Sequence, residues 1–316
     1  MLIMNFSQYL LLALKGCAMG MADVVPGVSG GTIAFISGIY EELIDSIKSF
    51  NATAVKLLLR GRFGECWRHV NGRFLLPVLT GIAVAIFSLA RLMTYLLTTH
   101  PIAVWSFFFG LIVASALLVA RQIGRWSVGT IVGTIVGIAA AWWITVATPA
   151  ETPDDWWFVM LSGAIAICAM ILPGISGAFI LLLLGKYQYI MQAVADLNLP
   201  VIVVFVIGAA AGIISFSHLL SWLLKRWHDV TVSVLMGFMV GSLNKVWPWK
   251  EVVETYTDGH GDIQPLVESN VLPGRFEALS QQDPRLLQAV LLCIVGFLTI
   301  YGIELLARIV LKKREE

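Results

Sequence analysis

The chain alternates long apolar runs with short polar segments, and the run lengths predict a multi-pass helical membrane protein. A helix that crosses a bilayer needs about 20 apolar residues, with a range of about 17 to 25. Six runs have that length and are predicted to span the membrane: 74–98, 102–120, 126–148, 199–224, 230–246 and 286–310. Two further apolar runs, 7–50 and 156–194, each contain a Pro-Gly pair, which interrupts a helix.

The two interrupted runs carry the same motif. Residues 26–31 read PGVSGG and residues 173–178 read PGISGA, and a glycine and a tyrosine follow each copy at the same offsets. Such self-similarity indicates an internal repeat. We expect each run to form a helical hairpin with Pro-Gly at its tip, and a second arm in the first hairpin that runs from about Gly30 to Phe50. We expect each hairpin to be re-entrant, although a full crossing by both arms is not excluded by length.

Charge in the loops sets the orientation. Segment 51–73 carries five basic residues and one acid among apolar ones, which predicts a basic amphipathic segment on the cytoplasmic side. The loop 247–284 is rich in acids and is predicted to be extracytoplasmic. Both termini then lie in the cytoplasm.

The number of crossings predicts the symmetry. An odd number of crossings separates the two Pro-Gly motifs, so residues 1–150 and residues 151–316 must insert upside-down relative to each other. We therefore predict an all-α polytopic membrane protein with an inverted-topology repeat, each half one re-entrant helical hairpin plus three transmembrane helices. The hairpin tips should meet near the bilayer midplane.

Composition narrows the function classes. The chain of 316 residues is 58% hydrophobic and 13% charged, against about 25% charged in soluble domains. A net charge of +1 gives no indication of nucleic acid, and no histidine or cysteine spacing predicts a metal or another cofactor. Tryptophans at predicted span ends are expected to form an interfacial belt: Trp142, Trp143, Trp156, Trp157, Trp247 and Trp249.

The tips offer an anion-binding chemistry. The first backbone N–H groups of a helix have no partner within it, and the helix dipole places partial positive charge there. Glycine lets a ligand approach that backbone, so phosphate or carboxylate is the expected ligand. The candidate substrate-binding residues are Pro26, Gly27, Ser29, Gly30, Gly31 and Thr32 at the first tip and Pro173, Gly174, Ser176 and Gly177 at the second tip. The alternative is that the glycines serve packing and the serines cap helices.

Charged residues inside apolar runs are costly and are often functional. Lys15 is the candidate charge partner of the phosphate, or else it pairs with Glu41. Asp23 and Glu41 are candidates for ion coupling, although Asp23 could cap the turn and Glu41 could be solvated. Arg91 is a further candidate binding residue.

The other polar side chains within apolar runs have purely structural explanations. Arg91 and Lys186 could extend their side chains to an interface. His218, on an otherwise apolar span, is expected to be a hydrogen-bonded core residue.

The paired motifs, together with Lys15, Glu41 and the sequence WPW at 247–249, resemble the polyprenyl-phosphate transporter family over essentially the whole chain. Ala178 departs from the small polar residue common there. The resemblance implies a protein of the bacterial cytoplasmic membrane that returns undecaprenyl phosphate from the outer to the inner leaflet. The lipid carrier is thereby recycled for envelope polymers.

Two other functions remain open on the sequence. One is an ion-coupled transporter of a small soluble anion. The other is an intramembrane lipid phosphatase, which needs a nucleophile with an acid/base partner or a metal. No histidine lies near Ser29 or Ser176 in sequence, so we expect a non-enzyme whose partners are undecaprenyl phosphate and membrane lipid. Glycine-rich faces permit a homodimer.

Overall fold

The computed structural model describes residues 5–24, 29–150, 152–257 and 263–315. The first half contains eight helices. They are α1 (Phe6–Val24), α2 (Gly30–Ile36), α3 (Tyr40–Lys48), α4 (Ala52–Leu59), α5 (Phe63–His69), α6 (Gly72–Thr99), α7 (Pro101–Ala120) and α8 (Val128–Val146).

Among the described residues, the second half has no counterparts of α4 and α5, and it contains two short strands. Its elements are α9 (Trp156–Ile171), α10 (Gly177–Leu183), α11 (Tyr187–Ala195), α12 (Leu199–Arg226), α13 (His228–Ser242), β1 (Lys250–Thr257), β2 (Ile263–Asn270), α14 (Pro273–Ser280) and α15 (Leu286–Glu315).

Length and composition agree with a helical membrane protein. Within the described residues, segments of α6, α7, α8 and α12 are each long and apolar enough to cross a membrane. The pair α10 and α11 passes the same test only when taken together, and it is bent by 113°. Large apolar side chains such as Phe87 and Val128 point outward from the helices, as expected for surfaces in contact with lipid.

The second arm of each hairpin is two helices rather than one. We expected a continuous helix after Gly30, but α2 ends at Ile36 and α3 begins at Tyr40. Gly38 adopts a φ of +71°, and its N–H and that of Ile39 bond back to the carbonyls of Phe35 and Ala34. These bonds form a Schellman motif, which ends a helix at a glycine in the left-handed region.

The same motif recurs in the second hairpin. Gly185 has a φ of +62°, and the N–H groups of Gly185 and Lys186 bond to the carbonyls of Leu182 and Leu181. The glycine that follows each Pro-Gly motif therefore produces the same break in both hairpins.

Two predicted segments differ from the structure. The basic segment forms the short helices α4 and α5, and its last residues begin α6, because Gly72 and Arg73 already belong to that helix. The polar loop 247–284, for which no strand was predicted, contains β1 and β2, which pair in antiparallel fashion. The chain is thus not strictly all-α, since the β-branched and acidic residues of this loop pair as strands outside the helical bundle.

The helices pack in four matched pairs. The long interfaces join α1 with α6, α9 with α12, α7 with α15 and α8 with α13. At the first of these, Gly16 lies against the carbonyl of Val78 and Gly81 against that of Ala13, so closely that a Cβ at either would overlap the backbone. Reciprocal glycines make the same close crossing in the other three pairs: Gly163 with Gly208, Gly110 with Gly296, and Gly137 with Gly237.

Two tryptophans depart from the expected interfacial belt. Trp142, Trp143, Trp156 and Trp157 are exposed at helix ends. Trp249 is buried, however, and its ring lies 5.5 Å from that of Trp247, which in turn contacts Phe109. Their indole N–H groups donate to backbone carbonyls at Val271 and Pro284, so these rings anchor the β-hairpin region to α7.

Candidate functional site

The two hairpin tips contact each other in the centre of the molecule. Ser29 Oγ donates a hydrogen bond of 3.0 Å to the carbonyl of Met170, near the end of α9. The N–H of Gly174 donates a bond of the same length to Thr32 Oγ1. Ser29 and Thr32 are fully buried. The tips are therefore joined by polar contacts from opposite halves of the chain.

The last carbonyls of α9 explain why hydroxyls are needed here. The final turn of a helix leaves its C=O groups without intrahelical partners. Besides Met170, the carbonyl of Ile171 accepts a bond of 3.1 Å from the hydroxyl of Tyr40, which is buried. A Cβ at Gly31 would lie 2.5 Å from the same Ile171 oxygen. Glycine at this position thus permits the close approach of the tips.

The amide groups of the first tip are occupied by side chains of the same hairpin. Ser29 caps α2 by accepting from the N–H of Gly31 at 3.0 Å. Asp23, at the end of α1, accepts from the N–H of Gly30 at 2.7 Å. The predicted turn-capping role of Asp23 is therefore seen. Its carboxylate occupies the N–H of Gly30, one of the donors predicted for an anion at this tip.

The second tip lacks these bonds. Ser176 precedes α10 with an extended backbone, but its side chain makes no capping bond. When Ser176 is matched to Ser29, Met170 stands where the first hairpin has Asp23, so no carboxylate is available. Across the described residues, no side chain bonds to the N–H of Gly177. The two tips are alike in backbone and different in chemistry.

Gly174 fixes the shape of the second tip. Its φ of +92° lies in the left-handed region that favours glycine. A Cβ there would lie 2.6 Å from Ser242 Oγ, at the end of α13. Pro173 is buried beside it. The second tip therefore rests on the last turn of α13.

Lys15 does not reach the tips, and three other predicted site residues are not fully described. Pro26 and Gly27 lie outside the described residues, as does the side chain of Arg91, whose backbone is part of α6. Lys15 Nζ donates 2.7 Å to the carbonyl of Ser37, at the opposite end of α2 from Ser29. It stabilises the C-terminal end of that helix.

Glu41 is exposed at the protein surface. Its Oε1 lies 3.4 Å from His228 Nε2, and Lys15 Nζ bonds to the carbonyl of Ser37, so the structure pairs each of them with another group. Lys15 instead contacts a backbone carbonyl, because the break at Gly38 exposes the end of α2 to it.

Lys186 does not extend to an interface. Its side chain is fully buried, where Nζ donates to the carbonyl of Thr152 at 2.8 Å and pairs with Asp154. Thr152 and Asp154 belong to the segment that joins the two halves, so the buried lysine holds that segment on the second hairpin through a backbone carbonyl and an exposed carboxylate.

His218 is also placed differently from the prediction. It lies on an exposed part of α12, and Nδ1 is 2.8 Å from the carbonyl of Ile214. It is hydrogen-bonded as expected, but it is not in the core. Throughout the described parts of the chain, no three His, Cys, Asp or Glu side chains are grouped to hold a metal ion.

A charged group beside the second tip was missed by the sequence analysis. Lys245 and Lys250 both contact one carboxylate oxygen of Glu268, at 3.2 Å and 3.0 Å. We call these three residues the outer charge cluster. The two lysines flank the WPW sequence at 247–249, which was the available signal, but only the pairing of β1 with β2 brings Glu268 to them.

Burial sets the protonation of this cluster. The pKa of Lys250 is lowered to about 8, chiefly by loss of hydration; the charge of Lys245 acts in the same direction, and Glu268 opposes the shift. Burial alone would raise the pKa of Glu268, but the charges of Lys250 and Lys245 outweigh it and keep that pKa below its ordinary value.

Comparison with known sequences identifies the family. A sequence profile described as undecaprenyl phosphate translocase-like matches residues 19–264. The chain belongs to this family. A protein of Vibrio cholerae serotype O1 named polyprenyl-phosphate transporter is 46% identical over 297 residues, which cover 94% of this chain and 96% of that protein.

A second relative is more distant. A Staphylococcus aureus protein of the same name is 34% identical over 253 residues, which cover 74% of this chain and 85% of that protein. No solved structure matches the chain. The family resemblance predicted from the paired motifs is therefore confirmed.

Proposed function

We propose that this protein transports undecaprenyl phosphate from the outer to the inner leaflet of the bacterial cytoplasmic membrane, where the carrier is reused for envelope polymers. The contact between two glycine-rich broken-helix tips, through Ser29 and Thr32, is the observation that carries the proposal. The names of the two relatives support the substrate class. The isoprenoid tail would remain in lipid while the headgroup passes between the halves.

The helix pairing supports an inverted repeat. The pair α1–α6 in the first half corresponds to α9–α12 in the second, and α7–α15 corresponds to α13–α8. Reciprocal glycines at corresponding positions, such as Gly110 and Gly237, make these crossings. Rocking of one repeat against the other would expose the tips alternately to the two sides.

The difference between the tips gives the order of events. The phosphate first binds the uncapped amides near Ser176 and Gly177, reached from outside. It then passes to the first tip, at Ser29 to Thr32, as the bond between Thr32 and Gly174 breaks. Two anions cannot use the same donors, so Asp23 must leave Gly30 before the phosphate binds there.

This requirement makes Asp23 the site of coupling. Inward movement of negative charge works against an inside-negative potential by about 2.3 kcal/mol per charge per 100 mV. A proton taken up by Asp23 from outside would release Gly30 for the phosphate. Loss of that proton to the cytoplasm would restore the carboxylate, which would displace the phosphate.

The test is transport of fluorescent undecaprenyl phosphate in liposomes that contain the purified protein. Thr32→Val keeps the volume but removes the acceptor for Gly174, and Thr80→Val is the matched control on the exposed face of α6. We expect wild-type protein and the control to move lipid, and Thr32→Val to be at least tenfold slower, since a buried donor is left without its partner.

Other outcomes decide between the functions. Absence of lipid transport by wild-type protein under every ion gradient, with uptake of a small anion instead, would replace this proposal with a soluble-anion transporter. Release of inorganic phosphate from the lipid would establish an enzyme. Equal rates of lipid transport in all three proteins would support undecaprenyl phosphate as the substrate but would overturn the proposed role of the tips.

A further inference from the structure

The outer charge cluster brings two cations to a single carboxylate. Lys245 follows α13, Lys250 begins β1, and Glu268 lies in β2. Both ammonium groups contact the same oxygen of Glu268. Only 8% of the Lys250 side chain is exposed, against 19% for Lys245 and 22% for Glu268. Among the described residues, the cluster therefore has one positive charge more than negative charge, in a site largely shielded from water.

Such a charge is not needed to hold the β-hairpin. Asn270 donates to both the carbonyl and the side chain of Asn244, and the indole N–H of Trp247 donates to the carbonyl of Val271. These neutral bonds already fix the strands to the end of α13. A second buried lysine adds a desolvation cost without a carboxylate of its own, which is explained by an anionic ligand.

The cluster is adjacent to the second tip. Lys245 Nζ is 4.7 Å from the centre of the Phe179 ring, and Phe179 is the third residue of α10. Ser242, one helical turn before Lys245, borders Gly174 of the tip.

Lys250 is enclosed from another side. Its Nζ is 4.6 Å from the centre of the Trp105 ring, near the start of α7. An anion held by both lysines would therefore lie between aromatic walls, next to the open amides of α10.

The length of α13 explains how this site is reached. Its 15 residues span about 22 Å, less than the ~30 Å thickness of a bilayer core. The chain leaves the helix at the level of the second tip and passes outward through Lys245 to β1. In the predicted orientation, the outer charge cluster then lies on the extracytoplasmic side of the second tip.

We propose that Lys245 and Lys250 receive a phosphate monoester before it reaches the second tip, and that Glu268 holds their place until the phosphate displaces it. This inference rests on the proposed function and specifies where that transport begins. A phosphate monoester carries a charge of about −1.5 to −2 at neutral pH, which matches two lysines better than one carboxylate does. The same chemistry fits a lipid headgroup or free phosphate.

The experiment measures binding of fluorescent undecaprenyl phosphate to the full-length protein in nanodiscs, with inorganic phosphate as competitor. The variants are Lys245→Met, Lys250→Met and Glu268→Gln. Arg275→Met is the matched control, because Arg275 forms an exposed ion pair with Glu251 in the same region. Thermal unfolding of each variant checks the fold.

The expected effects have opposite signs. Loss of either lysine should raise the Kd for the lipid about tenfold or more, as for a charge-assisted hydrogen bond. Glu268→Gln should lower the Kd several-fold, because the competing anion is gone. Arg275→Met should leave it unchanged. A purely structural cluster would instead lose stability in all three cluster variants, with no gain of affinity in Glu268→Gln.

The pH dependence of lipid binding provides a second readout. Since the pKa of Lys250 lies at about 8, wild-type affinity should fall as the pH rises above that value, by up to tenfold per pH unit. Within the described part of the chain, Glu268 and Lys245 are the charged groups that act on Lys250. Lys250→Met should remove this dependence.

The outcomes separate this inference from the proposed function. Wild-type transport together with unchanged binding in both lysine variants would overturn the inference alone. Binding of inorganic phosphate without binding of the lipid would overturn both. Competition by inorganic phosphate against bound lipid would support a site that reads the headgroup.

Discussion

A single residue distinguishes the two tips. Asp23 occupies the N–H of Gly30 at the first tip, whereas Met170 stands at the corresponding position of the second hairpin. A carboxylate is a strong acceptor for helix N-terminal amides, and a thioether is not. The repeat therefore supplies two backbone sites of similar shape, and this substitution leaves only one of them with a resident anion.

We expect Asp23→Asn to abolish proton coupling while it preserves transport. The neutral amide oxygen is a weaker acceptor than a carboxylate and cannot gain or lose a proton, so it should yield Gly30 to the phosphate as the protonated acid does. In liposomes, an acidic exterior should speed wild-type flipping several-fold and leave Asp23→Asn unchanged.

Asp155→Asn is the control for this prediction. Asp155 is exposed before α9 and makes no capping bond, and asparagine serves equally well at that position. It should respond to the gradient as wild-type protein does. Stimulation of Asp23→Asn to the wild-type extent would rule out Asp23 as the coupling site.

Among the secondary-structure elements, the second arm of each hairpin is broken at a glycine, and the break at Gly185 is a packing site. The break at Gly185 is covered by the segment between the halves: Ala150 donates its N–H to the carbonyl of Leu183, and Thr152 Oγ1 donates to that of Leu184. Buried Lys186 completes the contact with that segment. The break is thus a packed junction between the hairpin and the chain that leads into it.

Two glycines with similar backbone angles test this packing. Gly185 and Gly61 have φ values of +62° and +69°. A Cβ at Gly185 would lie 2.5 Å from the carbonyl oxygen of Ala150, whereas at Gly61 nothing lies within 4 Å.

We expect Gly61→Ala to cost about 1 kcal/mol, from the left-handed backbone alone, and Gly185→Ala to cost at least twice as much. The measurement is the midpoint of thermal unfolding in detergent. Equal shifts in the two variants would contradict the close packing at Gly185.

At the scale of the whole molecule, the loops of opposite charge define an inside and an outside. The basic helices α4 and α5 follow the first hairpin, and the acidic β-hairpin region follows α13. The positive-inside rule places the first in the cytoplasm and the second outside. In this predicted orientation, the outer charge cluster faces the outer leaflet, from which we propose that the lipid is collected.

Labelling of single cysteines tests this orientation. Thr53→Cys lies in α4 and Thr255→Cys in β1, both at exposed positions, in protein whose four native cysteines are replaced by alanine. A membrane-impermeant maleimide should label position 255 in intact cells, and position 53 only after permeabilisation. The reverse pattern would invert the proposed direction of transport.

Local physics explains what could be predicted without the structure. The span lengths follow from apolar run length, and the tips follow from Pro-Gly, because each of these effects acts within one or two helical turns. The predicted span 102–120 and the observed α7, Pro101–Ala120, agree almost exactly for this reason. The paired motifs likewise predicted the family correctly.

Contacts between distant segments could not be predicted in this way. Whether the amides of a tip are free depends on whether Asp23 folds back onto Gly30. The burial of Lys186 depends on the segment around Thr152, more than thirty residues before it in the sequence. The pairing of α7 with α15 and of α8 with α13 exchanges helices between the halves.

The hairpins, the apolar spans and the anion chemistry expected at the tips were predictable from the sequence, since these depend on neighbouring residues. Which tip holds a carboxylate and which has open amides depends on contacts between segments, and these are seen only in the folded protein. The tertiary structure also brought Glu268 to Lys245 and Lys250, because the free energy of a buried charge depends on every group that packs around it.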